Sequence, residues 1–403
     1  MATAHIVLGL GYGDEGKGLA TDWLCRRHQP ALVVRFNGGA QAGHTVTEAD
    51  GRRHVFSSFG AGTLAGVPTL WAAPCPFAPG PALAELAALH RLGGAAPQLL
   101  LDAESPLTTP YDVLYNRALE DARGPTRHGS VGAGFGATVA RHEHPALRLT
   151  VHDLLTPPTL AAGLRRIRAH YHARLAREVP AFGFADFDHD HTDRQFLAAA
   201  AQVAALHHAA GAVQVVAAAA VLATVGARPL VLEGAQGILL DMEAGQFPHV
   251  TRSYTTSRQA LALLRAHLPG HAPHLHYVTR AYCTRHGAGP LPHEQPLPLR
   301  SHEQETNQLH AYQGTFRRAP LHLPSLRHAL AADARYSACL PRHLLITCLD
   351  QTPGGHLLYA DAAGALATAP PAALPTLLGL DFASLALAYG PTAATAQLSQ
   401  PPG

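Results

Sequence analysis

Thirty basic residues are present, and 29 of them are Arg; the single Lys is Lys17. It lies in Gly11-Tyr12-Gly13-Asp14-Glu15-Gly16-Lys17-Gly18, the most glycine-dense stretch near the N-terminus. Glycines at this spacing turn backbone N–H groups toward an anion, and an ammonium bridges phosphoryl oxygens, so the loop reads as a phosphate cradle. A standard loop of this kind follows its Lys with Ser or Thr, which holds Mg²⁺; here Gly18 follows. Asp14 and Glu15 instead bring two carboxylates close to a polyphosphate. Carboxylates there are repulsive unless a cation intervenes or one acts on the acceptor, so Asp14 reads as a metal ligand or a base.

Such a loop needs a strand before it and a helix after it. Ile6–Leu10 is apolar enough for the strand, and a helix is expected over about Leu19–His28. Ala31–Phe36 is a continuous apolar run, as in a strand buried on both faces. Further strands are expected at Thr69–Ala73, Leu99–Leu101, Val213–Val216, Leu230–Leu232, His276–Ala281 and Leu344–Thr347. Helices are expected near Pro79–Arg91, Tyr111–Arg123, Leu160–Arg177 and Gln195–His208. The alternation predicts an α/β fold with a large, mostly parallel central sheet flanked by helices. Residues 1–403 read as one domain with three long active-site loops, 37–58, 124–144 and 283–324, and a frayed tail from 395.

The charge balance of +2 is not that of a nucleic-acid binder, and 47% hydrophobic residues exclude a disordered chain. Phe196–Ala227 carries no formal charge, but Gln202, His207, His208, Gly211 and Gln214 interrupt it, so no membrane span is expected. Five scattered Cys without a C-x-x-C pair, and no signal-peptide pattern, point to the cytoplasm. Asp186–Asp193 alternates acids and histidines like a metal cluster, but lacks further ligand spacing and reads as a solvated acidic loop. His207-His208 and His271/His274/His276 are read in the same way.

Three ordered blocks carry a resemblance: Gly13–Gly18, Val34-Arg35-Phe36-Asn37-Gly38-Gly39-Ala40-Gln41-Ala42-Gly43-His44-Thr45, and Glu233-Gly234-Ala235-Gln236-Gly237. Leu240-Asp241, Phe247–Thr251, Ala281–Arg285, Gly287–Glu294, Thr347-Cys348-Leu349-Asp350 and Gly390-Pro391 follow in order. Together they resemble the adenylosuccinate synthetase family over nearly the whole chain. The resemblance implies a GTP- and Mg²⁺-dependent ligase, cytoplasmic and homodimeric. It would phosphorylate the 6-oxygen of IMP and let the amino group of aspartate displace the phosphate. It implies Asp14 as base, with Asp14 and the Gly43 carbonyl as Mg²⁺ ligands, and Lys17, His44 and Gln236 as the other catalytic residues. GTP would be held by Gly13, Asp14, Glu15, Gly16, Lys17, Gly18, Gly43, His44, Thr45, Asp350, Gly390 and Pro391. The purine monophosphate would meet Asp14, Asn37, Gln41, Ser130, Val131, Gln236, Leu240 and Thr251, and Arg141 would reach it across a dimer interface.

The chain departs from the family's pattern at several of these positions. Cys348 stands where the family packs Lys along the guanine, Val131 replaces a hydroxyl that holds nucleotide phosphate, and Ala133 replaces an Arg. In the loop whose Arg run clamps aspartate, Thr315 and Phe316 replace two Arg, while Arg317 and Arg318 remain. A composition that swaps Lys for Arg explains the first loss but not these last two. Two alternatives follow: the same first half-reaction with another amine donor or nucleotide, or a regulatory protein that binds GTP and a purine nucleotide without turnover.

Overall fold

A computed structural model describes residues 2–300, 312 and 314–399. Its centre is a ten-stranded sheet. The first half of the chain contributes β1 (Ala2–Gly9), β2 (Val33–Arg35), the hairpin β3–β4 (His44–Thr47, Arg53–Phe56), β5 (Thr69–Trp71) and β6 (Leu99–Asp102). Then come β7 (Val213–Val216), β8 (Leu230–Gly237), β9 (His271–Arg280) and the hairpin β10–β11 (Cys283–His286, Phe316–Ala319). The last strands are β12 (Arg342–Thr347), the hairpin β13–β14 (Leu357–Ala360, Leu366–Ala369), β15 (Ser384–Ala388) and β16 (Ala396–Ser399). The sheet order is β16-β15-β12-β9-β1-β8-β2-β5-β6-β7. Every pairing in it is parallel except that of β15 with β16.

The central strands are apolar on both faces because both are covered. Ile6, Leu8, Val34, Leu232 and Leu275 pack into one core; Val7, Val33, Val231, Val278 and Leu345 pack under α1 (Lys17–His28) on the other. A third core gathers α2 (Pro79–Leu92), α3 (Pro110–Arg123), α5 (Pro157–Glu178) and α6 (His189–His208) around Trp71, Leu101, Tyr111 and Ile167. Between α3 and α5 lies the short α4 (Phe135–His142). The carboxyl ends of β1, β2, β8, β9 and β12 lie together at one edge, where ligands of open parallel sheets bind.

The three expected loops are only partly irregular. Residues 37–58 hold the β3–β4 hairpin, 124–144 end in α4, and 283–324 contain β10–β11; 301–311 and 313 of the last loop lie outside the described residues. The expected frayed tail is corrected for 396–399: Ala396–Ser399 pairs antiparallel with Leu385–Ala388, which satisfies the backbone groups of the sheet edge. Asp186–Asp193 is largely the start of α6: Asp188 caps it by accepting from the His191 amide at 2.8 Å, and Asp193 accepts from the Tyr111 hydroxyl at 2.6 Å. No group of three metal-ligating side chains is placed to hold a metal among the described residues, and none of their helices is long and apolar enough to cross a membrane. His271 and His276, expected in solvent, are instead buried on the sheet, His271 against the Arg228 carbonyl and His276 against His5.

Candidate active site

The glycine-rich loop joins β1 to α1, and its backbone is left-handed at Gly13 and Gly16, both with φ of 97°. A Cβ on Gly16 would lie 2.8 Å from Thr347 Cγ2, and one on Gly18 only 2.6 Å from the Thr45 carbonyl oxygen. Close approach of β3 therefore explains why no Ser or Thr follows Lys17. Lys17 is 3% exposed at the start of α1, with Nζ 2.5 Å from Glu15 Oε2. Glu15 Oε1 accepts from the Gly11 and Gly13 amides at 3.0 and 2.8 Å. The Glu15 carboxylate thus braces the loop from inside and does not face the adjoining cavity.

That cavity, of about 350 Å³, runs from Gly13, Asp14 and Lys17 past Gly43, His44 and Thr45 to Cys348, Asp350, Gly390 and Pro391. A second, of about 400 Å³, is lined by Ser130, Phe135, Thr251 and Arg252 among others. The two share Tyr12, Gln41, Val131, Gln236, Leu240 and His286. Asp14, Gln236 and Cys348 all adopt positive φ (59°, 62° and 59°) and all line the first cavity. Strain held in non-glycine residues clusters where side chains must be aimed at a ligand.

The Asp14 carbonyl accepts from Arg280 Nε at 2.5 Å, and its carboxylate lies 3.5 Å from His286 Nε2. His44 Nδ1 is 2.6 Å from Glu233 Oε1, while its Nε2 is buried and has no hydrogen-bond partner among the described residues. Burial lowers the pKa of His44, although the carboxylate of Glu233 opposes this. Burial also raises that of Glu233, but His44, Arg35 and the Ala61 amide outweigh it and hold the carboxyl ionised, below its ordinary value. Arg35 sits beside Glu233 in the β2–β8 register, 5.4 Å from the Trp71 ring centroid, and none of its guanidinium nitrogens has a hydrogen-bond partner among the described residues. A carboxylate, a carbonyl and phosphate oxygens make a donor set that suits Mg²⁺, and Asp14 and Gly43 line the same cavity.

Besides Glu15, four residues expected to touch ligands are placed elsewhere. Asn37, 1% exposed, accepts from the Ala235 amide at 2.7 Å and donates to the Tyr254 carbonyl at 2.9 Å, so it braces the Gln236 turn from behind. Arg141 does not reach outward across an interface: it is 2% exposed, with Nε 2.9 Å from Asp112 Oδ1 and bonds to the Leu107 and Leu147 carbonyls. A buried guanidinium needs its counter-charge and acceptors, and the fold supplies them internally. Thr315 is exposed. Arg317 is held by Glu294 at 2.9 Å and by the Gly287 and Gly289 carbonyls at 2.8 and 2.7 Å. Neither lines either of these two cavities.

His286 and the partnership of Glu233 with His44 were not singled out from sequence, whereas Arg280 was weighed there, with Arg285, only as a substitute charge for the lost Arg pair. His286 falls between the blocks ending at Arg285 and beginning at Gly287, and Arg280 just precedes the first of them. Only the β9–β10 connection brings them to Asp14.

The chain matches the family described as adenylosuccinate synthetase over residues 6–351. It is 33% identical over 384 residues to the adenylosuccinate synthetase of Marinomonas sp. (strain MWYL1), covering 89% of this chain and 81% of that protein. It is 33% identical to the adenylosuccinate synthetase of Ralstonia pickettii (strain 12J), covering 72% of this chain and 62% of that protein. Among solved structures, the fully ligated adenylosuccinate synthetase from Plasmodium falciparum superposes with a TM-score of 0.76 at 16% identity, over 99% of this chain and 100% of that one. Cyanophage S-2L succinoaminodeoxyadenylate synthetase, solved with dGMP and dATP as an energy donor, superposes with a TM-score of 0.64 at 15% identity, over 99% and 95%. These structural likenesses bear on the fold.

Proposed function

The chain belongs to the adenylosuccinate synthetase family, GTP-dependent ligases that form a C–N bond, and from that premise we propose that it activates the 6-oxygen of a purine monophosphate, IMP by family likeness. The phosphate would then be displaced with an amine. The observation that carries this reading is the junction of two cavities at Gln236, with Asp14, Lys17 and His44 on the first. GTP extends along the first cavity, its base toward Asp350 and its phosphates on the Lys17 loop. The purine monophosphate occupies the second, with its 6-oxygen at Gln236.

A purine lactam oxygen is a poor nucleophile until N1 loses its proton, and Asp14 is the carboxylate at hand to take it. The phosphoryl group in flight carries negative charge over its oxygens, which Lys17 and the loop amides meet. With Nδ1 turned to Glu233, His44 has Nε2 left for that group, and a proton there makes it a donor. Mg²⁺, held by Asp14 and the Gly43 carbonyl, supplies further neutralisation of phosphate charge when bound. Glu15 and Asn37 serve as braces. We place the enzyme in the cytoplasm, in keeping with five free cysteines. The family's homodimer remains part of this reading, with residues other than Arg141 at its interface.

Release of GDP from GTP and Mg²⁺ across IMP, dIMP, GMP and dGMP, crossed with a panel of amines, tests the reading. Turnover that needs a purine monophosphate and an amine together is expected. GTP hydrolysis indifferent to both, or binding of both without GDP release, would refute it.

A further inference from the structure

Phe316 stands where the family's pattern has an Arg of the aspartate clamp, yet it lines neither of the two cavities. It opens β11 and pairs with His286 of β10, so the two side chains stand beside each other on one face of the hairpin. Their ring centroids are 4.8 Å apart, and Arg280 Cζ lies 5.5 Å from the Phe316 centroid. The ring therefore sits against two residues that do line the first cavity, and both of them hold Asp14. Arg280 donates from Nε to the Asp14 carbonyl at 2.5 Å and from Nη1 to the Tyr282 hydroxyl at 2.9 Å. His286 Nε2 is 3.5 Å from the Asp14 carboxylate. On its other side the Phe316 ring has Arg318, with Cζ 5.7 Å from the centroid. An aromatic face attracts both guanidiniums, where a third guanidinium would repel them.

Asp14 needs such holding. Its φ is 59°, a conformation that a non-glycine residue keeps only where its surroundings impose it. A base must also lie within hydrogen-bond reach of the proton it takes. We propose that Phe316 is a positioning residue for the first half-reaction: it packs His286 and Arg280 together and so keeps Asp14 aimed at the purine N1 proton. This deepens the ligase reading and rests on it. In the step it supports, Asp14 takes the N1 proton and the 6-oxygen forms a bond to the γ-phosphorus of GTP. The bond from that phosphorus to the β–γ bridging oxygen breaks, and its electron pair leaves on GDP. No amine takes part in this step, so a defect at Phe316 shows before any amine arrives.

The test compares the full chain with Phe316→Leu, which removes the ring, and Phe316→Tyr, which keeps it. Each is given Mg²⁺, IMP and GTP carrying ¹⁸O in the β–γ bridge, without amine, and movement of the label to a non-bridging β position is timed. The complete reaction with aspartate then gives kcat and the KM for aspartate. In Phe316→Leu both label movement and kcat are expected to fall about ten-fold, as for a misplaced base. The KM for aspartate should stay within two-fold, and Phe316→Tyr should match the unsubstituted chain. A urea melt of each variant checks its folding, and Phe316→Met replaces Phe316→Leu if the latter does not fold. Unchanged label movement and kcat in Phe316→Leu, an equal loss in Phe316→Tyr, or a ten-fold rise in the KM for aspartate overturns the positioning role and leaves the ligase reading intact. If the unsubstituted chain releases GDP without moving label, the split between kcat and KM decides. Neither label movement nor GDP from the unsubstituted chain overturns both.

Discussion

His44 and Glu233 are 189 positions apart and 2.6 Å apart in space, and Arg35 lies beside the carboxylate with no hydrogen-bond partner among the described residues. A guanidinium that buried is tolerable next to an ionised carboxylate and costly without one. Glu233→Gln is therefore expected to act twice: kcat falls about 100-fold as His44 loses the negative charge of its partner, and the chain unfolds at lower urea. Steady-state kinetics and a urea melt on the same preparation separate the two effects; loss of neither contradicts the proposed pairing. Cys348 offers a gentler probe. It lines the far end of the first cavity, whereas Cys339 is exposed elsewhere. GTP should slow iodoacetamide labelling of Cys348 and leave Cys339 unchanged, as peptide mass spectrometry would report. Lys17, Asp14 and His44, which line one cavity, could be picked out as candidates because each lies in a run of consecutive motif residues at a loop or strand start. His286 and Arg35 were not, because their meaning depends on neighbours that only folding supplies.

Among the elements, α3 and α4 show how a familiar motif can be turned to another use. Thr109 and Asp112 form a reciprocal capping box at the start of α3, and Asp112 also accepts from Arg141 and from the Tyr171 hydroxyl at 2.8 Å. Arg141 is thus a tie between α3, α4 and α5. Arg141→Met is expected to cost about 3–5 kcal/mol of stability, seen as a lower melting temperature. It should leave the KM for the purine monophosphate within two-fold and independent of enzyme concentration. A large rise in KM at unchanged stability would restore a role at the nucleotide. The strands flanking the glycine loop were readable from their apolar runs. The β3–β4, β10–β11 and β15–β16 pairings were not, since short strands with mixed faces carry little periodicity.

Across the whole molecule, the candidate site occupies the carboxyl ends of the strands, and a cluster of histidines lies toward their opposite ends. His5 Nδ1 is 2.9 Å from His276 Nε2, and His274 Nδ1 is 2.9 Å from His343 Nε2; His28 of α1 stacks on His5 with centroids 4.3 Å apart. Burial, with mutual repulsion among the rings, lowers His5 to about 3 and His343 to about 4. Burial and its neighbouring rings likewise push His276 well below the usual value. The unfolded rings titrate near the ordinary His value of 6.5, so between that pH and about 4 the unfolded chain binds more protons. The stability is complete above pH 6.5 and falls as the pH drops below it, by on the order of 2 kcal/mol for His5 alone at pH 5. Urea midpoints should decline from pH 7 to pH 5, and His343→Gln should flatten the decline; a pH-independent midpoint would contradict it.

The central claim is that Asp14 and the Lys17 loop carry phosphate to the purine oxygen before any amine arrives. GTP labelled with ¹⁸O in its β–γ bridge reports this directly, because reversible phosphoryl transfer lets the label move to a non-bridging β position. Scrambling is expected with IMP and Mg²⁺ in the absence of amine, and is expected to vanish in Asp14→Asn. Scrambling that persists in Asp14→Asn, or that proceeds equally without IMP, would contradict it.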